Sequence, residues 1–229
     1  MTPERSDGPG DPGRDRDGDD TYRDARNRLV DRLSSRARIA DRRTLDAIRA
    51  VPRHEFVPAP QRDDAYADRP LPIGEGQTIS APHMVAIMAE LLAPDPGDRV
   101  LEIGTGCGYH AAVTAELVDP GTVYSVEYHE DLAAAARDRL ARLGFDVAVR
   151  VGDGHAGWPE HAPYDGAYLT CAPADVPPAV VEQVRPGGRI VAPVGRGRQE
   201  LIVLTRRADG SVERERHGGV RFVPMRGGD

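Results

Sequence analysis

The rhythm of apolar positions changes along the chain. From Met1 to about Asp20 there is Gly, Pro, Asp and Arg but almost nothing to bury. Burial cannot offset the entropy of ordering such a stretch, so residues 1–20 are expected to form a disordered tail. From Thr21 to Ala50 apolar residues return at helical spacing, at Leu29, Val30, Leu33, then Ile39, Leu45 and Ile48, with a break near Ala40-Asp41. This predicts two helices, the second ending before Val51-Pro52. Pro52 to Pro82 shows no period and is rich in proline and turn residues, which predicts an irregular segment too long for a simple connection and therefore either disordered or functional. Helical spacing resumes over Met84, Val85, Ile87, Met88, Leu91 and Leu92.

From Arg99 onward β-rich runs alternate with helical ones. Strands are predicted at Arg99–Ile103, Thr122–Glu127, Asp146–Val151, Gly166–Thr170 and Arg189–Val194, separated by helices near Tyr109–Val118, Asp131–Leu143 and Pro178–Val184. That alternation implies parallel pairing through right-handed crossovers, hence a doubly wound α/β sheet. Glu200–Arg206 and Val212–Arg216 then flank Ala208-Asp209-Gly210, whose Asp-Gly signals a hairpin, so the sheet is expected to gain antiparallel strands at its C-terminal end. The expected organisation is the tail (1–20) and one domain (21–229), made of N-terminal helices and irregular segment to residue 82, a core over 83–194 and C-terminal strands over 195–229.

A length of 229 residues suits one domain plus a tail. The basic residues are 30 Arg and no Lys, against 24 Asp and 13 Glu, for a net charge of −7. That balance argues against a general nucleic-acid binder, which needs a basic surface. The bias toward Arg and Asp fits a GC-rich genome, with a high-salt cytoplasm as a compatible alternative. No stretch approaches the roughly 20 apolar residues of a membrane helix, and no apolar signal-peptide core is present. A cytoplasmic protein without membrane association is expected. Cys107 and Cys171 are too few for a disulfide framework and lack zinc-like spacing, so both are read as reduced thiols and no metal is expected.

The strongest chemical signal is Val100-Leu101-Glu102-Ile103-Gly104-Thr105-Gly106-Cys107-Gly108-Tyr109, an apolar strand entering a glycine turn and then a helix. Glycines there let a backbone approach a ligand, and amides at the helix start face it, so Gly104, Thr105 and Gly106 are candidate nucleotide-binding residues. Glu127 ends the next strand, where a carboxylate can accept from both ribose hydroxyls; the alternative is a solvated strand-end Glu. Asp153-Gly154 after the third strand can reach an adenine by the same geometry, or form an ordinary turn. A dinucleotide loop favours Gly-x-Gly-x-x-Gly, whereas here the glycines fall at 104, 106 and 108 with Glu102 just upstream. Negative charge is unfavourable beside a pyrophosphate and favourable beside a sulfonium or ammonium, so the loop leans toward S-adenosylmethionine, unless Glu102 faces away from the site.

Beyond this loop the chain resembles the protein-L-isoaspartate O-methyltransferases. The resemblance rests on Val51-Pro52-Arg53-His54-Glu55-Phe56-Val57-Pro58, Asp68-Arg69-Pro70-Leu71-Pro72-Ile73-Gly74 and, most specifically, Gly76-Gln77-Thr78-Ile79-Ser80-Ala81-Pro82-His83-Met84. Later blocks follow in the family's order, among them Arg185-Pro186-Gly187-Gly188-Arg189 and Val220-Arg221-Phe222-Val223-Pro224. The resemblance runs from about Arg28 to Arg226. It implies a Rossmann-like class I S-adenosylmethionine-dependent methyltransferase fold, and transfer of the cofactor's methyl group to the α-carboxylate of L-isoaspartyl residues in damaged proteins and peptides. The ester then closes to a succinimide, whose hydrolysis returns some aspartate. The partners implied are isoaspartyl-containing proteins and peptides; from the charge balance no nucleic-acid partner is expected, and a monomer is expected.

By the same resemblance Ser80 is the active-site serine that hydrogen-bonds the acceptor carboxylate, while Thr78 and Ile79 supply backbone groups and Gln199 lies near the cofactor. Ser80 also reads as an N-cap of the helix after Pro82. His83 is read as a solvated first-turn residue, Cys107 as a space-filler, and Trp158, Tyr164 and Phe222 as core; Tyr128 and His129 receive no role. A carboxylate acceptor, with a reference pKa near 4, needs no general base. Other readings stay open: a relative methylating another acceptor, or a binder of cofactor or damaged peptide without turnover. The glycine spacing disfavours an NAD-dependent oxidoreductase.

Overall fold

A computed structural model describes residues 14–36 and 39–228. Helix α1 (Arg14–Arg36) is followed by α2 (Arg42–Ala50), whose N-cap Asp41 accepts from the amides of Arg43 and Thr44. Of the expected tail, residues 14–20 belong to α1, and residues 1–13 lie outside the described residues. Pro52 to Pro82 is ordered. Two short 3-10 turns, Arg53–Phe56 and Ala59–Asp64, lead into a small antiparallel hairpin of β1 (Leu71–Gly74) and β2 (Gln77–Ile79). Gly74 (φ +103°) and Gly76 (φ +67°) make its turn, and Pro72 sits in a two-stranded ribbon where a missing donor is tolerated.

Helix α3 (Pro82–Leu92) precedes the alternating region: β3 (Arg99–Ile103), α4 (Tyr109–Val118), β4 (Thr122–Glu127), α5 (Glu130–Leu143), β5 (Val147–Val151), β6 (Tyr164–Leu169), α6 (Pro178–Gln183), β7 (Val184–Val194), β8 (Gln199–Arg206) and β9 (Val212–Val220). The seven-stranded sheet runs β5-β4-β3-β6-β7-β8-β9, parallel through β7 and antiparallel thereafter, as the alternation and the Asp-Gly hairpin predict. Strand β7 starts five residues earlier than its apolar run suggests. Val184 already pairs with Tyr164, and the Arg-Pro-Gly-Gly stretch is absorbed as a register irregularity rather than a turn.

Burial explains the near-continuous apolar strands. Val100, Leu101 and Ile103 on β3 and Ala167, Tyr168 and Leu169 on β6 are almost inaccessible, as expected where helices cover both faces of a parallel sheet. The chain leaves β3 toward β4 and β5, then crosses back to β6 and β7, so strand order reverses beside β3. A doubly wound sheet opens a crevice at that point, outside the carboxyl ends of its strands.

Candidate active site

The crevice is built on the turn from β3 to α4. Gly104, Gly106 and Gly108 hold φ of +98°, +54° and +89°, a region side chains rarely enter. Gly104 also has no room for one, since a Cβ there would stand 2.3 Å from Thr170 Oγ1. At the end of β4, Glu127 is 5% exposed and reaches under the loop: the Gly106 amide donates to its Oε2 (2.8 Å) and the His129 amide to its Oε1 (3.0 Å). Both carboxylate oxygens are fixed by backbone donors and retain lone pairs toward the cleft. This is the acceptor pair that two neighbouring hydroxyls of a ribose require.

The cleft measures about 740 Å³ including its open mouth, within the range of small-molecule sites. Its walls include Ile103, Val126 and Met225, with Thr78, Ile79 and Ser80 along one side and Gly154 along another. A second hollow, walled by Pro70, His83, Met84, Val220, Arg221 and Phe222, opens beside it. The two share Thr78, Ser80, Thr170, Val223 and Pro224. Ser80 therefore stands where they meet. It is not the N-cap: Ala81 holds that position, without a side-chain bond, and the Ser80 hydroxyl makes no hydrogen bond among the described residues. A half-buried hydroxyl without an internal partner is available to a ligand.

Of the residues predicted from sequence, Thr78, Ile79, Ser80, Gly104, Thr105, Gly106, Glu127 and Gly154 come together around this cleft. Glu102 and Asp153 do not. Parallel register sets Glu102 beside Ser125 on β4 and Tyr168 on β6. Ser125 donates to one of its oxygens and the Tyr168 hydroxyl to the other (2.9 Å). Complete burial pushes its pKa up to about 8, against the opposing effect of those two bonds. Burial thus favours its protonated form, and the carboxyl faces Ser125 and Tyr168 rather than lining the cleft. Its link to the site is indirect: Ser125 Oγ lies 2.5 Å from Thr105 Oγ1, and Thr105 lines the cleft. Asp153 instead caps a short 3-10 turn, accepting from the His155 amide (2.9 Å) and ring Nδ1 (2.8 Å) and from the Gly228 amide (2.8 Å).

Four further placements escaped the sequence. Gln199 does not line the cofactor cleft; its side chain accepts from the Phe222 amide (2.6 Å) and donates to the Phe222 carbonyl (3.0 Å). With the Ala172 amide donating to the Val223 carbonyl (2.8 Å) and the Met225 amide to the Ala172 carbonyl (2.9 Å), it secures the segment that walls both hollows. Arg53, fully buried, donates from Nε to the Ala65 carbonyl (2.8 Å) and lies 4.7 Å from the Tyr109 ring centroid, pinning the irregular segment to the core. His83 is tied down rather than merely solvated, its backbone amide and Nδ1 both 2.9 Å from Asp68 Oδ1. Tyr128 and His129 both line the cleft. Only their position after a strand-end Glu could have signalled this.

Burial suppresses two of the side chains lining the cleft that could act as nucleophile or base. Burial pushes the Cys171 thiol up to about 12 and the His110 imidazole down to about 3, so neither is reactive near neutral pH. No group of three or more His, Cys, Asp or Glu suited to a metal occurs among the described residues. Nor is any described helix long and apolar enough to cross a membrane.

A glycine loop at the switch point of this sheet, a strand-end carboxylate beneath it and antiparallel strands closing the far edge define a Rossmann-like S-adenosylmethionine-dependent methyltransferase. The profile of the protein-L-isoaspartate(D-aspartate) O-methyltransferase family matches residues 24–229. The chain belongs to that family. It is 55% identical over 213 residues to the protein-L-isoaspartate O-methyltransferase of Methanopyrus kandleri, covering 91% of this chain and 94% of that protein. Identity to protein-L-isoaspartate O-methyltransferase 2 of Archaeoglobus fulgidus is 53%, covering 90% and 94%. A solved protein-L-isoaspartate O-methyltransferase superposes with a TM-score of 0.82 at 31% identity, over 88% of this chain and 66% of that longer one. A Plasmodium falciparum structure described as a complex with S-adenosyl-L-homocysteine shares the fold, with a TM-score of 0.78 at 22% identity over 88% and 98%.

Proposed function

We propose that this protein transfers the methyl group of S-adenosylmethionine to the α-carboxylate of L-isoaspartyl residues in damaged proteins and peptides, which leads through a succinimide back to aspartate. The observation that carries this reading is the junction at Ser80, where a nucleotide-sized cleft meets an open hollow at an uncommitted hydroxyl. The cleft suits the cofactor: Glu127 offers acceptors for ribose hydroxyls, the Gly104–Gly106 backbone admits close approach, and Ile103, Val126 and Met225 give it apolar walls. When bound, S-adenosylmethionine supplies a methyl group activated by its sulfonium.

The protein's own contribution is positioning. The acceptor carboxylate is ionised at neutral pH and needs no base, in keeping with the hydroxyls of Thr78, Ser80 and Thr170 at the junction. Ser80 donates to one oxygen of the acceptor and leaves the other free to attack. Holding two reactants in line is worth roughly 7–11 kcal/mol of the barrier. The ordered segment from Arg53 to Ser80, pinned by Arg53, supplies one wall of this arrangement and the segment secured by Gln199 the other.

Methyl transfer from labelled cofactor to an isoaspartyl peptide and its aspartyl twin tests the reading. The isoaspartyl peptide alone is labelled, as a base-labile ester. Ser80→Ala lowers kcat by about tenfold, the worth of one hydrogen bond to a charged group, while cofactor affinity holds. Equal labelling of both peptides would overturn the proposal.

A further inference from the structure

We propose that Arg198 and Arg221 form a cationic subsite that makes this protein favour isoaspartyl residues flanked by acidic side chains. This rests on the acceptor hollow being the peptide site. The hollow beside Ser80 is lined without an Asp or Glu, in a chain whose net charge is −7. Arg221 belongs to its wall, and beyond Phe222 the surface continues into a shallower hollow bordered by Arg198 and Arg221, again with no acidic residue.

Arg196 and Arg226, also exposed and without a hydrogen bond or ion pair among the described residues, add to the positive charge of this region, whereas several other arginines of the C-terminal strands are paired. Arg185 is held by Asp165 (2.6 Å), Arg207 by Glu213 (2.7 Å), Arg214 by Asp175 (3.1 Å) and Arg216 by Glu200 (3.7 Å). Arg198 and Arg221 are exposed and have neither a hydrogen bond nor an ion pair among the described residues. Gln199 and Val220 form the last pair of β8 and β9, and Arg198 and Arg221, the residues next to them in the chain, both line the same hollow. Like charges bordering one hollow repel. An anion bound there offsets that repulsion and gains two partners.

The anion is not the reacting carboxylate. A guanidinium clamped on that group would draw off the charge that attacks the methyl, and Ser80 already stands at the junction to orient it. The chemistry therefore fits a second carboxylate on the same peptide, a flanking Asp or Glu lying along Phe222 toward Arg198. The Gln199 amide, next to Arg198 in the chain, holds Phe222 in place between the two hollows.

The test uses the full chain and three isoaspartyl peptides that differ only in flanking residues, Asp, Gln or Arg. Both kcat/KM for methyl transfer and direct binding of the fluorescently labelled peptides are measured at low and high salt. The expected order is Asp over Gln over Arg, with about fivefold between the first two at low salt, which is what exposed ion pairs supply, collapsing toward unity in 0.5 M salt. The double variant Arg198→Glu, Arg221→Glu is expected to reverse the order, a result that generic damage to the fold cannot produce. Equal binding of the three peptides, or an order that survives the double reversal, would overturn the proposal. Absence of methyl transfer to every isoaspartyl peptide would instead refute the underlying function, and the binding order would still decide the subsite.

Discussion

Replacing Glu102 by Gln tests the buried network behind the glycine loop. Glutamine keeps the shape: its carbonyl accepts from Tyr168 as Oε1 does now, and its amide donates to Ser125, which turns toward Thr105. What changes is titration. In the unfolded chain Glu102 ionises near 4.5, whereas in the native protein it keeps its proton to about 8. Between those values the native state binds one more proton than the unfolded state, so stability falls as pH rises, by about 1.4 kcal/mol per unit. Above about pH 8 both states are ionised and the loss levels off. From pH 5.5 to 7.5 the wild type should lose about 2–3 kcal/mol through this one group, and Glu102→Gln should not. Urea unfolding of both proteins across that range reads the difference directly, because other titrations cancel in the comparison when they are uncoupled. The stability of the variant relative to the wild type is expected to climb with pH, with cofactor affinity unchanged. Parallel stability curves would refute the reasoning. A large loss of cofactor affinity would restore Glu102 to the site as a charge.

Glu127→Ala removes the two carboxylate oxygens proposed to accept from the ribose and leaves the Gly106 and His129 amides unpaired; cofactor affinity measured by calorimetry should weaken by about 10- to 100-fold, from charge-assisted bonds of roughly 1.5–3 kcal/mol, and an unchanged Kd would remove Glu127 from the site. Gln199→Leu strips the partners from both backbone groups of Phe222; the expected cost is about 1–3 kcal/mol of stability, with KM for the peptide rising more than kcat falls. His110, buried with its pKa pushed down to about 3, contributes stability that is present above about pH 6.5 and lost as pH falls below it; His110→Phe should flatten the acid limb of the stability profile.

Periodicity made the architecture legible because each βα unit buries a continuous apolar strand and one stripe of a helix. β3, α4 and β4 fall where the pattern puts them. The small hairpin of β1 and β2 stayed hidden: its strands are only four and three residues long, one holds a proline, and register, not hydrophobic alternation, defines it. The glycine loop and Glu127 line the cleft where spacing places them, because their positions follow from strand ends. The surroundings of Glu102 are not legible in the sequence for a physical reason. A sequence shows a charge but not its burial, and three-stranded register brings Ser125 and Tyr168 to a carboxyl that its own segment leaves apparently free. Gln199 and Arg53 act on partners at sequence separations of 23 and 12, through backbone groups that no motif displays.

Repair, not methylation alone, is the proposed outcome of this chemistry. The most direct measurement follows one isoaspartyl peptide by chromatography during prolonged incubation with the protein and S-adenosylmethionine at neutral pH. The prediction is that the isoaspartyl form declines while the aspartyl peptide accumulates, passing through methyl ester and succinimide, and only when protein and cofactor are both present. An isoaspartyl fraction that stays constant, or a methyl ester formed equally well on the aspartyl peptide, would contradict it.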